Sequence, residues 1–539
     1  MTVPQLVRTF AAWGERPLLI TPDERLSYRV ADERSAVLAR CLLAAGVGKN
    51  TRVAMVLANG SDWVVTFLAL ARVGAHAVLL NPFATAAELA YALGHSDAHA
   101  VVTGAQAGGV PIADLLVATV AGLGAHRAPD PILAVSHPYL RDAWWLGDGR
   151  PAWARDPERA PTVRPEILGA VEAQVFPSDP ILTTYTSGTT AEPKAVMHSQ
   201  GAILRQAEKL AARRWLTADS VLYTPMPLFW VGGVCFSLLS CAASGMPMVT
   251  DARFDAGRTL DLLEQERVTH VYCWPKAAES LVTHPSWPDR VITGLRAGPS
   301  QLRGPEFAGV AIDQREQSLG MTETCGPHTF SFDADAILPE HLRGSFGPPV
   351  ESMEHRIVDR ETLEPLPDYE IGELLVRGEG LMLGFHKRER QDTFLPDGWY
   401  RTGDLCSWHD GRLFFHGRGG DMIKTAGFNV APAEVERVIE EIPGVMHVVV
   451  LALDHPVRDQ EIGALVALRP GSDATAESLA ARVREQLSSY KVPTVWCLVD
   501  EATYPMGVTG KVERARARAL LEAAQAERRV QEPSDGDRH

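Results

Sequence analysis

Residues 185–199 read YTSGTTAEPKAVMHS. Thr186, Ser187, Gly188, Thr189 and Thr190 follow one another as small or hydroxyl-bearing residues, and Lys194 adds one cation. Clustered backbone N–H groups, hydroxyls and an ammonium can wrap phosphate oxygens without bulky side chains in the way. The spacing is not that of a GxxxxGK[ST] phosphate loop. Standing alone, the stretch reads better as a Ser/Thr-rich turn joining two strands, so its context decides.

Outward from this turn the chain alternates helix and strand patterns. An Ala/Leu-rich segment ends at Gly46, RVAMVL begins at Arg52, a second helical pattern ends near Gly74, and AVLLNP follows. That rhythm belongs to a layered α/β domain. It continues to about His416, weakened between Thr103 and Ser178 where Pro, Ala and Asp imply long surface connections. The uncharged run Ser220–Thr250 is long enough to suggest a membrane span, but Pro225, Pro227, Gly232, Gly233, Gly245 and Pro247 break it. It reads as strand, loop and buried helix in a core, with no membrane span. After Asp421 the pattern becomes that of a small α+β unit. Pro432 opens a helix, HVVVLAL and ALVAL read as strands, and Leu479, Val483 and Leu487 form one helical stripe. The final AQAERRVQEPSDGDRH reads as a polar tail.

At 539 residues the chain is long enough for two or more folding units, and its 46% hydrophobic content supplies large cores. The 52 Lys and Arg against 67 Asp and Glu leave a net charge of −15, which disfavours nucleic acid as a partner, so a polyanionic ligand needs a local site. Seven cysteines without a CxxC pair fit a reduced, cytoplasmic setting. There is no GxSxG, HExxH or GxGxxG motif.

Five further segments follow in order: QSLGMTET from Gln317, GELLVRGEGLMLGF from Gly372, DGWYRTGDL from Asp397, GRGGDMIKTAGFNVAPAEVE from Gly417, and YPMGVTGKVER from Tyr504. With the Thr/Ser/Gly segment they resemble the ordered signature of the adenylate-forming superfamily, which holds acyl-CoA synthetases, luciferases and adenylation domains. The resemblance spans nearly the whole chain. It implies a large N-terminal α/β domain over 1–417 that binds AMP and the acyl group, a hinge at 418–421 and a mobile α+β lid over 422–525, which leaves the polar segment 526–539, by its composition, as a disordered tail. It also implies two half-reactions: a carboxylate attacks the α-phosphorus of ATP, and a CoA thiol then displaces AMP.

The resemblance assigns residues to these steps. Thr186, Ser187, Gly188, Thr189, Thr190 and Lys194 match the phosphate loop, Gly298 matches an ATP- and AMP-binding position, and Leu319 matches the position against adenine. Thr322 matches a contact to the α-phosphate and Glu323 the carboxylate that holds Mg²⁺. Asp404 matches the acceptor for the ribose hydroxyls, and Arg418 a second ribose or phosphate partner. Lys511 matches the lysine that bridges substrate carboxylate and α-phosphate, delivered by the lid. Gly420 matches the hinge, Gly427 and Phe428 the CoA channel. Phe229, Trp230, Gly233, Trp274 and Gly320 match the acyl pocket. ATP, Mg²⁺ and coenzyme A are the implied cofactors.

The sequence departs from the pattern at several places. Ala191 and Ala195 stand where relatives often carry glycine, and a positive φ at either would cost on the order of 1 kcal/mol. Leu319 replaces the usual tyrosine against adenine, and Gly420 a hinge residue that is more often charged. Trp230 stands where many relatives have histidine beside the acyl tunnel. With Phe229, Cys273 and Trp274 it points to a bulky apolar acid. The leading reading is therefore an acyl-CoA synthetase acting on a small-molecule carboxylic acid. Alternatives are an enzyme that only forms the thioester from an adenylate supplied by a partner, a ligase loading a carrier-protein pantetheine, and a nucleotide sensor without turnover.

Overall fold

The computed structural model describes residues 1–531 apart from 108, 187–192, 304–313, 332–335, 352, 419–422, 426–427, 431, 456–458, 488 and 508–511. Contacts group the chain into two units, Met1–Glu354 with Val376–Tyr400, and His355–Leu375 with Arg401–His539.

The first unit is built on a seven-stranded sheet in the order Gly384–Phe385, Lys194–Ser199, Pro180–Thr186, His76–Leu79, Arg52–Val56, Ala100–Gly104, Asp142–Leu146. The five strands from Pro180–Thr186 onward run parallel, and the two at the other end are antiparallel additions. A run such as Val53–Val56, buried at every position, is what a parallel strand covered on both faces requires. On one face pack the helices Tyr28–Ala44, Ser61–Arg72 and Gln200–Arg213, and on the other Ala86–His95 and Ile112–Thr119. Side-chain caps fix several starts: the Ser27 hydroxyl accepts from Val30 N–H, and Ser199 from Ala202 N–H, each at 3.2 Å.

A second sheet has the order His270–Val271, Leu222–Tyr223, Met248–Val249, Pro17–Ile20, Arg25–Ser27. Its middle is closed over a long sequence separation, with Leu19 opposite Met248 in parallel register. Between its strands, the uncharged run folds as a helical turn at Val231–Gly233, a π-helix at Val234–Leu239 and an α-helix at Ser240–Ser244. Hydroxyls support the widened turn: Ser237 donates to Gly232 O at 2.8 Å and Ser240 to Cys235 O at 3.3 Å, each five residues back. Among the described residues no helix is long and apolar enough to cross a membrane.

Four strands, Met353–Val358, Gly372–Gly378, Tyr400–His409 and Arg412–Arg418, form a small sheet in that order. The carboxy-terminal sheet follows: Phe428–Val430, Ile423–Thr425, Asp459–Leu468 and Val445–His455, with Val495–Val499 parallel to Asp459–Leu468. Arg412–Arg418 lies against the helix Pro432–Glu440, so contacts draw residues 401–418 into the second unit. The boundary expected at 417 falls inside that grouping, and the expected hinge residue Gly420 lies outside the described residues. Residues 526–531, expected to begin a disordered tail, belong instead to the helix Arg514–Gln531, and the rest of the expected tail lies outside the described residues. Gln525 donates to Glu461 at 2.6 Å, and Arg528 donates to Thr494 O at 2.7 Å and to Glu461 at 2.9 Å. These polar anchors hold a segment whose charge had suggested none.

Candidate active site

The phosphate-loop candidate sits at the mouth of the hairpin Pro180–Thr186 and Lys194–Ser199, where Thr186 and Lys194 are in register. Ser187, Gly188, Thr189, Thr190 and Ala191 lie outside the described residues. Lys194 places its Nζ 5.5 Å from the Phe385 ring centre, a cation–π contact. Ala195 is a buried strand residue paired with Tyr185 and is not among the residues of positive φ. The strain anticipated there is therefore absent, because the turn ends before it.

The MTET segment forms a tight turn beside this hairpin. Gly320–Met321 pairs antiparallel with Gly326–Pro327, and Thr322–Thr324 makes one 3₁₀ turn between them. Cys325 closes it at φ 59°, and the Thr324 hydroxyl donates to Gly326 O at 2.7 Å. A Cβ on Gly320 would lie 2.6 Å from backbone atoms of Pro327, so the close approach requires glycine. Glu323 is held through its carbonyl, which accepts from Met382 N–H at 2.8 Å, and through Oε1, which accepts from the Tyr400 hydroxyl at 3.3 Å. Leu319 is fixed by its backbone: its N–H donates to the Thr329 hydroxyl at 3.0 Å and its carbonyl accepts from His328 N–H at 2.9 Å. Gly298, at φ 149°, follows the bridge between His270 and Ala297, and a Cβ there would meet Val271 at 3.2 Å.

His198 was not legible as a site residue, although it joins the hairpin to the turn. Its Nε2–H donates to Thr322 O at 2.8 Å, while Nδ1 is buried without a partner among the described residues. Burial lowers its pKa to about 4, as it does for His76 and His270. The unfolded values lie at 6.5, so between pH 6.5 and about 4 the unfolded chain binds protons that the folded one refuses. Stability from this source is intact above pH 6.5 and falls on acidification, at up to about 1.4 kcal/mol per pH unit for each histidine. Urea midpoints measured from pH 7.5 to 5 are expected to decline, and His198→Gln, which keeps a donor for Thr322 O, is expected to flatten the decline.

A third group of residues forms an aromatic wall. Phe229 meets Trp230 edge-on at 5.7 Å, and Trp230 meets Trp274 edge-on at 6.2 Å. Asn59 holds the approach to this wall, donating to Met226 O at 3.0 Å and accepting from Leu228 N–H at 2.8 Å. The Thr184 hydroxyl donates to Phe229 O at 3.0 Å, tying the wall to the central sheet. Trp274 precedes the helix Pro275–Val282, and Tyr272 lies two residues before it on the same segment. Phe236, on the π-helix, packs 4.2 Å from Tyr272 and 6.2 Å from Phe330, with the Arg214 guanidinium 3.7 Å above its centre. Burial lowers the Arg214 pKa to about 10 and raises that of the Cys273 thiol to about 12, so this region suits apolar groups. A Cβ on Gly233 would lie 2.1 Å from Pro227 O. Two open clefts of about 810 and 530 Å³, lined by residues such as Leu468 and Leu498 or Thr21 and Arg258, contain none of these aromatic residues.

In the second unit, Asp404 is buried and stands in register with Arg418. Its N–H donates to the Thr402 hydroxyl at 3.0 Å, which in turn donates to Leu374 O at 2.7 Å. The side chains of Arg418 and Phe428 are not described, though both backbones are in strands. Gly427 and Lys511 lie outside the described residues, and Met506 pairs with Val512 on either side of the segment that carries Lys511. The structure thus brings Thr322, Glu323, Lys194 and the unanticipated His198, Phe385 and Tyr400 into one region. Asp404 and Arg418 pair in another.

Residues 6–386 match the family described as AMP-binding enzyme, and residues 434–511 match the AMP-binding enzyme C-terminal domain. The chain is 30% identical to the indoleacetate–CoA ligase of Aromatoleum aromaticum, over 93% of this chain and 94% of that protein. It is 26% identical to the putative acyl-CoA synthetase YngI of Bacillus subtilis, over 95% of each. The ATP-bound structure of MatB from Rhodopseudomonas palustris superposes with a TM-score of 0.75 at 22% identity, covering 96% of this chain and 99% of that one.

Proposed function

Because the chain belongs to the AMP-binding enzyme family of adenylate-forming enzymes, we propose that it is an AMP-forming acyl-CoA synthetase acting on a bulky hydrophobic carboxylic acid. In the first half-reaction a carboxylate oxygen of the acid bonds to the α-phosphorus of ATP and pyrophosphate leaves. In the second, the sulfur of CoA bonds to the acyl carbon and AMP leaves with the electron pair of the broken C–O bond.

The first step joins an anion to an anion, so charge at the reacting centre must be neutralised. Thr186 to Thr190 and Lys194 would cradle the phosphates, with Thr322 donating to the α-phosphate. Gly298 would help to bind the nucleotide, Leu319 would border adenine, and Asp404 would accept the ribose hydroxyls with Arg418 as a second ribose or phosphate partner. Lys511 would bridge the two reacting anions, carried by a lid that turns about Gly420. Gly427 and Phe428 would then line the CoA channel. Glu323 fits a magnesium site: Oε1 takes the Tyr400 hydroxyl, and Oε2 has no hydrogen bond among the described residues. One carboxylate together with phosphate oxygens and water is the usual magnesium environment, and the ion would supply positive charge against the phosphates.

The observation that carries the substrate class is the edge-on series Phe229, Trp230 and Trp274, with Gly233 permitting the close backbone approach of Pro227 and Leu228 next to it. A charged acyl tail would lose its hydration against such rings without a partner. The reading that the enzyme only forms the thioester is motivated by the altered phosphate loop and Leu319; Ala195 is unstrained, and Ala191 lies outside the described residues. The test is a panel of carboxylic acids, including large ring systems, scored separately for pyrophosphate exchange into ATP and for CoA thioester. Bulky apolar acids are expected to give both products, and Trp230→Ala is expected to raise their KM about ten-fold by removing buried aromatic area. Preference for short polar acids would refute the substrate class, and thioester formation without exchange would favour the partial enzyme.

A further inference from the structure

Glu323 is held by its surroundings at two levels. Its backbone is set by the turn: the carbonyl accepts from Met382 N–H at 2.8 Å, and Thr324 and Cys325 close the turn behind it. Among the described residues its side chain accepts one hydrogen bond, from the Tyr400 hydroxyl at 3.3 Å. Tyr400 is itself buried and bracketed edge-on, with Phe385 at 6.3 Å and Phe394 at 6.1 Å. Phe385 is the same ring over which Lys194 lies. An aromatic bracket of this kind fixes the plane of the phenol, and the phenol then fixes one carboxylate oxygen.

We infer that Tyr400 is a positioning residue: by donating to Oε1 of Glu323 it selects the rotamer in which Oε2 is presented to a divalent cation. This rests on the reading of Glu323 as the carboxylate that holds magnesium. Without the hydroxyl, a glutamate with three rotatable bonds would sample several orientations, and each binding event would include the cost of ordering it. The two carboxylate oxygens thus have different tasks, one facing the protein and one facing the ligand.

The experiment uses the full-length protein with Mn²⁺ as the probe and a non-hydrolysable ATP analogue, following Mn²⁺ binding by electron paramagnetic resonance. Tyr400→Phe removes the hydroxyl and keeps the bracketed ring, so the melting temperature is expected to stay near that of the wild type. Its Mn²⁺ affinity in the presence of the analogue is expected to fall about ten-fold, the scale of one hydrogen bond to a charged group. The Mg²⁺ requirement of adenylation is expected to rise in parallel, with kcat at saturating Mg²⁺ changed less. In the Glu323→Gln background, Tyr400→Phe is expected to add nothing further, since the two act through one site. Unchanged Mn²⁺ affinity in Tyr400→Phe, alongside weakened affinity in Glu323→Gln, overturns the inference and leaves the role of Glu323 intact. Unchanged affinity in Glu323→Gln overturns the role of Glu323 and the inference with it. If Tyr400→Phe melts early, additivity in the double variant still decides, because a purely structural loss would weaken both backgrounds equally.

Discussion

Lys511→Ala is expected to lower the adenylation rate roughly 100 to 1000-fold, the scale on which loss of one preorganised electrostatic contact is felt. The substrate carboxylate and the α-phosphate repel each other on approach, and a compact ammonium between them lowers that cost only while both are present. Its flexible four-carbon stem suits a group that arrives with a moving element and then withdraws. Thioester formation from synthetic acyl-adenylate is therefore expected to be largely spared. The measurement is pyrophosphate exchange into ATP set against CoA consumption with preformed adenylate, on the same preparation. Equal losses in both half-reactions would show that Lys511 acts in some other way, through nucleotide binding or through folding of the second unit.

Gly233→Ala is expected to cost about 3 kcal/mol or more of stability and to abolish acid binding in whatever folded fraction remains. The added methyl would sit 2.1 Å from Pro227 O, 2.6 Å from Pro227 C and 2.7 Å from Leu228 Cα. All three are backbone atoms, and Asn59 and Thr184 pin the same turn, so no side chain can simply rotate aside. The chain would have to open between Pro227 and Gly233, which carries Phe229 and Trp230 away from Trp274. Gly232→Ala is the control. Its methyl would meet only the Met226 sulfur, at 2.9 Å, and a thioether at the end of a flexible side chain can yield. That variant is expected to stay within about 1 kcal/mol of the wild type. Denaturant melts with acid-dependent thermal shifts check both, and equal behaviour of the two variants would contradict the tight turn.

The layered α/β class was legible because its signal is local. The buried run Val53–Val56 and the helix stripes declare their own periodicity, and the motif segments declare their order. Sheet order was not legible, since the register of Leu19 with Met248 depends on packing across more than half of the first unit. The same distance hid Tyr400 and His198. Each looks unremarkable in its own segment, and each acquires a partner, Glu323 or Thr322, only when separate elements fold together. The strain anticipated at Ala195 was a local reading that extended the turn one step too far into the strand. The helical end of the chain escaped notice for a different reason: Arg528 and Gln525 are held by the buried Glu461, and composition cannot report a partner more than 60 residues away.

The π-helical turn at Val234–Leu239 places the proposed acyl pocket under a counting rule. Phe236 stands on this turn and packs against Tyr272, and an i→i+5 ladder carries one residue more per turn than an α-helix would. Deleting a single residue between Gly233 and Ser240 would preserve nearly every side-chain type in the region and let the segment close as an α-helix, its two flanks still in phase and the wide turn alone removed. The lining would then be redrawn only where Phe236 stands, so a change in chain length at this point could re-address the enzyme to a differently shaped acid without exchanging one aromatic ring.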